Sequence, residues 1–397
     1  MRTKMCKLSL ILPSLNVAQY MDECLQSVIN QTLKDMEIIC VDAGSTDGTL
    51  DIIHRYAAQD ARIKLILSDR KSYGYQMNLG IQHALGEYIG IVETDDYVPK
   101  QMYSELYEVA VREKAEIVKA DFYRFRTNGE RIERIYNRLD PSDTYYGRVI
   151  NPAEYPQVFR LIMNTWSGIY RRSFLEENRI FHNETPGASY QDNGFWFKTF
   201  CCAKRAYFVD KPYYMNRRDN EASSVANHGK VYCMTEEWEH IYQWLKQDSE
   251  RFKTFIGAYT LRMYHSLLFT YQRIAPEFRE EFIHHMSEKM GELIRAGEYV
   301  REAFTAYEWR RMKLIISSPL DYHRICIQKC SHRYLTWSLE RLEKWRRISA
   351  LIRKLDRVAN KAEIVWAWIR YEGLERAMRR IKWKNTKDCV NKEDTYG

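Results

Sequence analysis

"IVETDDYVPK", residues 91–100, is the stretch whose reading decides the fold. Ile91 and Val92 close a β-forming run, "EYIGIVE", and Glu93, Asp95 and Asp96 follow within four positions. A short apolar run that ends in carboxylates reads as a buried strand opening into a polar loop. Working outward, the pattern recurs. "KLSLILP" ends in Pro13-Ser14-Leu15-Asn16, "MEIICVD" in Asp42-Ala43-Gly44-Ser45-Thr46-Asp47, and "IKLILSD" in Ser68-Asp69-Arg70, while "EIVKADF" supplies a fifth run. Between the first two, Met21, Cys24, Leu25, Val28 and Thr32 fall on one helical face, and Met77, Ile81, Ala84 and Leu85 repeat that spacing before the fourth. Pro99 is placed to open the helix after it, and Asp47 reads as an N-cap. Alternating strands and helices predict an α/β fold with a Rossmann-like, mainly parallel sheet. In such sheets ligands bind at the carboxyl ends of the strands, so four polar loops face one mouth.

After residue 126 the rhythm changes. "TNGE" reads as a hairpin turn between "FYRF" and "RIERIY", residues 152–163 read as a helix, and "WSGIYRRSF" as a strand running into a helix. "SYQDNGFWFKTFCCA" reads as a helix with a polar start, and "RAYFVDKPYYMNRR" as another strand. From about residue 230 onward helical patterns dominate. Two regions are expected: 1–228, holding the sheet and its mouth, and 229–397, a mostly α-helical C-terminal region with a basic amphipathic tail.

The chain has 397 residues, 45% hydrophobic and 14% aromatic, enough for a full core, and the composition excludes a disordered protein. It contains no stretch of about 18 apolar residues, and its first residues lack a signal-peptide pattern, so a cytoplasmic protein is expected. Nine scattered cysteines fit reduced thiols. His323, Cys326, Cys330 and His332 lie near one another in sequence, but their spacing matches no usual zinc site. Asn183-Glu184-Thr185 matches a glycosylation acceptor formally and reads as an ordinary loop. The net charge of +8 is uneven: residues 321–387 hold 18 Lys and Arg against 7 Asp and Glu, and the remainder is slightly acidic.

Neither G-x-G-x-x-G nor G-x-x-x-x-G-K-[ST] occurs, so the backbone cradles that hold phosphate in many α/β proteins are absent. Carboxylates repel phosphate unless a cation stands between them, and oxygen ligands suit Mg²⁺ or Mn²⁺, which bind through one or two carboxylates plus substrate phosphates. "ETDD" therefore reads as a site for a divalent metal that in turn holds a diphosphate.

Four blocks in order, "LSLILPSLNVAQYMDECLQSVINQT", "EIICVDAGSTDGT", "GYQMNLGIQHALGEYIGIVETDDYV" and "SYQDNGFWFKTF", resemble those of family 2 inverting glycosyltransferases of the GT-A fold, over roughly residues 7–225. The resemblance implies a metal-dependent hexosyltransferase that moves a sugar from a nucleotide-sugar donor, a UDP-sugar, to a saccharide or lipid-linked acceptor in cell-surface glycan biosynthesis. It implies that Pro13, Ser14 and Asn16 line the nucleotide pocket, that Asp42 accepts a hydrogen bond from the uracil ring with Ser45 beside it, and that Asn78 takes part in the donor site. Glu93-Thr94-Asp95 occupies the D-x-D motif, with Asp95 as metal ligand and Glu93 acting through ribose or metal-bound water. Asp192 falls where the family places its catalytic base. Trp166 stands where relatives present residues to sugar or acceptor, a core role being the alternative, and "RRDNEASSV", Arg217 to Val225, resembles a block that folds near the leaving group, which implies Arg217, Arg218 or His228 as contacts to diphosphate or metal.

Three positions depart from the family pattern. Glu93 replaces Asp, Gln191 replaces the acidic neighbour of the base, and "QMNLG" lacks an Arg before Asn78, with Tyr75 and Gln76 as possible substitutes. These departures leave a second reading, a catalytically degenerate nucleotide-sugar-binding or membrane-associated assembly protein. Within 337–362, Trp345, Ile348, Ile352, Leu355, Ala359 and Ala362 recur at helical spacing among arginines and lysines. Such a helix suits an anionic membrane surface, placing the protein peripherally on the inner face of the plasma membrane, or packs on the catalytic region with a solvated basic face. Nucleic acid has no role in the blocks and is not expected as a partner.

Overall fold

The computed structural model describes residues 6–129, 131–220 and 230–330. The expected helix at 337–362, most of the basic segment, His228 and His332 lie outside the described residues. Contacts within the chain divide it into two compact units, Met1–Ala303 and Phe304–Gly397.

The first unit is built on one sheet. Strands β1 (Leu8–Ser14), β2 (Met36–Asp42), β3 (Ile63–Leu67), β4 (Tyr88–Ile91) and β5 (Ile117–Asn128) coincide with the five apolar runs. They are joined by β6 (Arg131–Asn137), β7 (Val149–Ile150), β8 (Gly168–Arg171) and β9 (Ala206–Arg217) in the order β3-β2-β1-β4-β8-β5-β9-β7, with β6 on β5. β1 pairs in parallel with both β2 and β4, and β5 in parallel with β9, while β8 runs antiparallel between β4 and β5. β1 and β2 are buried at every position, as a parallel strand covered by helices on both faces requires. The start of β8 therefore lies beside the end of β4.

Helices α1 (Ala18–Ile29), α2 (Thr49–Ala57), α3 (Tyr73–His83) and α4 (Met102–Arg112) connect the strands, and α1 buries Met21, Cys24, Leu25 and Val28. Several expectations shift at element ends. Thr32 lies beyond α1, where its backbone N–H donates to Lys100 O at 2.9 Å, and Pro99 precedes α4 by a turn closed by Met102 N–H on its carbonyl at 3.1 Å. Residues 152–163 hold only a 3-10 turn, Pro156–Arg160, because Pro152 and Pro156 remove two of the donors an α-helix needs. Asp47 is not the formal N-cap of α2, which is Gly48 at φ 98°, yet its carboxylate serves both helix starts, accepting from Thr49 N–H at 3.0 Å and Ala18 N–H at 2.9 Å.

Further along, α5 (Arg172–Glu177) is followed by α6 (Gln191–Cys202), and α7 (Cys233–Lys246), α8 (Ser249–Arg273) and α9 (Arg279–Arg295) complete the unit. Rings join α6 to its neighbours: Phe197 meets Trp238 of α7 edge-on at 5.5 Å, and Phe159 meets Trp196 at 5.9 Å. In the second unit, α10 (Ala306–Ser317) opens on a capping box between Thr305 and Glu308, and α11 (Pro319–Cys330) is tied to it by Arg311 Nε donating to Tyr322 Oη at 2.9 Å. No helix among the described residues is long and apolar enough to cross a membrane.

α3 and the chain before α6 touch where Gly74 lies. A Cβ there would stand 1.8 Å from the carbonyl oxygen of Asn183, a backbone atom that cannot yield cheaply. Gly74→Ala is expected to cost about 1–3 kcal/mol, read as a lower urea midpoint with unchanged slope; a midpoint equal to wild type would show that this approach is not tight.

Candidate active site

The mouth is organised first by Asp42, the last residue of β2. Its side chain is fully buried, and each oxygen accepts twice: Oδ1 from Gly44 N–H at 2.9 Å and Ser45 N–H at 2.7 Å, Oδ2 from Ser14 Oγ at 2.7 Å and Ser45 Oγ at 2.7 Å. The ends of β1 and β2 are thereby locked together. Asn16 adopts a left-handed conformation, φ 54°, which Asn tolerates better than most residues. From there its N–H donates to Ser45 Oγ at 2.8 Å and its Oδ1 accepts from Thr46 N–H at 2.9 Å. Thr94 is buried and donates its hydroxyl to Pro13 O at 2.8 Å, joining the third loop to the first. Pro13, Ser14, Asn16, Asp42, Ser45 and Thr94 thus form one hydrogen-bonded rim.

Before Asn78, where the arginine is missing, Gln76 is used inside the fold. Gln76 is buried, and its Nε2 donates to Ser14 O at 2.9 Å and Val41 O at 2.7 Å, carbonyls at the splitting ends of β1 and β2. Asn78 is buried as well, and every polar atom of its amide is taken by the chain. Its Nδ2 donates to His182 O and Glu184 Oε1, both at 2.9 Å, and its Oδ1 accepts from His182 N–H at 2.8 Å. These bonds fasten α3 to the chain before α6.

Gln191 is buried and extends this clasp. Its Nε2 donates to Thr185 O and Thr185 Oγ1, both at 3.0 Å, and Gly187 O at 2.9 Å, and its Oε1 accepts from Ser189 N–H at 2.6 Å. A carboxylate in its place has no hydrogens for those carbonyls. Gly187 in turn accepts from Tyr73 N–H at 3.0 Å and donates to Lys71 O at 2.7 Å. Thr185 and Asn183 of the formal glycosylation acceptor are engaged internally, Asn183 Nδ2 donating to Glu237 Oε2 at 3.0 Å.

This clasp delivers Asp192, in the first turn of α6, to the carboxylates that follow β4. Glu93 accepts from Tyr73 Oη at 2.7 Å, and its N–H donates to Tyr214 Oη at 3.0 Å. Burial, joined by the negative charges of Asp95 and Asp192, pushes the Glu93 carboxyl up to about 8 against the opposing Tyr73 hydrogen bond. Burial likewise pushes Asp192 up to about 6. Asp95 is half-buried, its Oδ2 accepting from Asn220 Nδ2 at 2.8 Å and its carbonyl from Arg217 Nε at 2.8 Å. Asp96 turns inward, where Arg217 N–H at 2.6 Å and Asn216 Nδ2 at 3.1 Å hold it. Arg217 also pairs with Glu23 and Asp219 and lies over the rings of Tyr20 and Phe125, so it braces the loop.

Glu93, raised by burial and by the charges of Asp95 and Asp192, sits among carboxylates that a cation would complement. Among the described residues no group of three or more His, Cys, Asp or Glu could hold a metal unaided. The donor set fits a divalent ion bound chiefly through Asp95, with phosphate oxygens and water completing its shell.

Some residues of the site carry no sequence signal. Tyr73, Tyr214 and Asn220 support the carboxylates from three separate elements. Glu237 of α7, buried, places Oε1 beside Gly194, where a Cβ would stand only 2.1 Å away, and burial raises its pKa. Trp166 stacks on Tyr214 at 4.3 Å and meets Phe122 edge-on at 4.8 Å. A cavity of about 250 Å³ between α4 and β9, lined by Glu105, Arg112, Tyr207 and Lys211 among others, shares no residue with the mouth.

Residues 9–179 match the family model described as Glycosyl transferase family 2. The chain is 32% identical over 217 residues to EpsJ of Bacillus subtilis (strain 168), described as an uncharacterized glycosyltransferase, covering 53% of this chain and 61% of EpsJ. It is 24% identical over 355 residues to the uncharacterized glycosyltransferase YibD of Escherichia coli (strain K12), covering 86% of this chain and 93% of YibD. The chain spans about three fifths or less of the length of EpsJ and several other curated glycosyltransferases that it matches. Among solved structures, S. aureus TarS 1-349 in complex with UDP-GlcNAc shares the fold, with a TM-score of 0.61 at 17% identity over 84% of this chain and 95% of that one.

Gln191→Glu is expected to strip the donors from Thr185 and Gly187 and to loosen residues 185–189. Hydrogen exchange at those amides should quicken by about tenfold or more, the equivalent of one to two lost buried bonds; unchanged exchange would mean that the clasp does not depend on Gln191.

Proposed function

Because residues 9–179 belong to glycosyl transferase family 2 and fold as a GT-A domain, we propose that the protein is a metal-dependent inverting glycosyltransferase using a nucleotide-sugar donor. The observation that carries this reading is the convergence of Asp95 and Asp192, from elements about a hundred residues apart, on one mouth beside Glu93. In it the loops after β1 and β2 receive the nucleotide, with Pro13, Ser14, Asn16, Asp42, Ser45 and Thr94 at the rim and Asn78 behind them. A UDP-sugar is the donor class chosen, supported by the ligand of the TarS complex that shares the fold. The GT-A portion, 1–228, carries the chemistry, and 229–397 is assigned to support and to the acceptor or membrane side.

The reaction is a single displacement. Asp192, as carboxylate, takes the proton of an acceptor hydroxyl; the acceptor oxygen forms a bond to the anomeric carbon as the bond from that carbon to the diphosphate oxygen breaks. The electron pair leaves with the nucleoside diphosphate, and the anomeric configuration inverts. A divalent cation at Asp95, when bound, supplies positive charge for the departing diphosphate. Tyr73 holds the Glu93 side chain toward the mouth, and the clasp made by Asn78 and Gln191 keeps Asp192 oriented.

A panel of nucleotide sugars with Mn²⁺ and detection of released nucleoside diphosphate tests the proposal. Asp95→Ala should abolish release, and Asp192→Asn should lower transfer by about 10²–10⁴-fold. No donor giving release, or full release in Asp95→Ala, overturns it. The base must be ionised to act, so transfer should hold level above about pH 6 and fall about tenfold per unit below it; a rate that keeps falling only below pH 4 would exclude Asp192 as the base.

A further inference from the structure

Among the described residues, three arginines at the β5 and β9 side of the mouth have no ion-paired partner. Arg124 and Arg126 alternate along β5 on the face that carries Phe122, and Arg218 follows β9, its N–H bonded to Phe125 O at 2.9 Å. Among the described residues their guanidinium groups make no hydrogen bond or ion pair, and Arg124 Nε is buried without a partner. The neighbouring Arg217 shows what this fold does with a structural arginine. Its donors reach Asp95 O, Asp219 and Glu23, and its side chain is 9% exposed. The other three instead oppose one another: burial and then Arg218 lower the Arg124 pKa, and burial and Arg126 lower that of Arg218 against the pull of Asp96 and Asp95. Like charges gathered without partners mark a binding surface more often than a structural one.

Their place in the sheet says which anion they suit. The order β1-β4-β8-β5 puts the arginine strand three positions from β1, roughly 14 Å at about 4.8 Å per strand. The nucleotide loops lie on one side of Asp95 and the guanidinium groups on the other. Trp166 stands between, half-buried, its ring against Phe122, over which Arg124 is centred at 5.7 Å. We propose that Arg124, Arg126 and Arg218 form an acceptor subsite for a phosphate group, next to Trp166 as the platform for the acceptor sugar. The assignment rests on the glycosyltransferase reading. Planar guanidinium forks suit phosphate oxygens, and a phosphate held there places an acceptor hydroxyl within the mouth.

Two sources carry that chemistry, a phosphodiester in a soluble glycan chain and the phosphate of a lipid headgroup. The test uses the full chain and Arg126→Ala, an exposed position outside every block assigned to the donor, sparing the half-buried Arg124 and also Arg218, whose block borders the leaving group. Calorimetry with glycerophosphoglycerol reads the soluble source, flotation with phosphatidylglycerol vesicles reads the lipid source, and UDP with Mn²⁺ reads the donor site. The variant should bind glycerophosphoglycerol or the vesicles at least tenfold more weakly while UDP affinity and Tm stay at wild-type values. Equal binding of both phosphate probes by variant and wild type overturns the proposal, as does a parallel fall in UDP affinity, which would put the arginines on the donor. Failure of the wild-type chain to bind UDP bears on the donor reading and leaves the comparison of phosphate probes intact.

Discussion

The amide of Asn78, closed on the backbone of His182 and the carboxylate of Glu184, is the contact on which the rest of the site depends. It fastens the chain before α6 onto α3, two segments more than a hundred residues apart. Gly74 allows the close approach, and Gln191 stiffens the loop that follows. Asp192 can face Glu93 and Asp95 only because this clasp holds. A site assembled across such a separation has to be paid for by ordered backbone, and here all three carbonyls and amides involved find partners.

The electrostatics follow from that geometry. Burial holds Glu93 and Asp192 above their ordinary proton affinity, with the charges of Asp95 and Asp192 adding to it at Glu93, and the Asp42 carboxylate accepts from four donors. One carboxylate builds the rim and the others are held ready for partners that bring protons or positive charge. Arginines divide in the same way, Arg217 being used inside the fold and the guanidinium groups of Arg124, Arg126 and Arg218 being left without hydrogen-bonded partners among the described residues.

Much of this was legible in the sequence, and the parts that were not share a cause. The five apolar runs became β1 to β5 because a parallel strand buried on both faces must be continuously apolar, and the polar loops had to follow at the carboxyl ends. Asp95 and Asp192 were marked by their blocks. What a motif does not record is which distant atom takes each polar group. Asn78 and Asp42 read as ligand contacts, and in the fold their polar atoms also meet Glu184 and Ser14. Tyr73, Tyr214 and Glu237 had no signal because a supporting tyrosine or glutamate looks like any other in one dimension. The expected helix at 152–163 failed locally, since apolar spacing there competes with two prolines and the prolines win.

The central claim is that one carboxylate, Asp192, drives a single displacement across this mouth. The anomeric configuration of freshly released or transferred sugar, followed by proton NMR from an α-linked nucleotide-sugar donor, tests it most directly. The account predicts the β-anomer first, with the α-anomer appearing only as mutarotation proceeds. An α-anomer formed first, or a glycosylated enzyme captured by mass spectrometry, would contradict it.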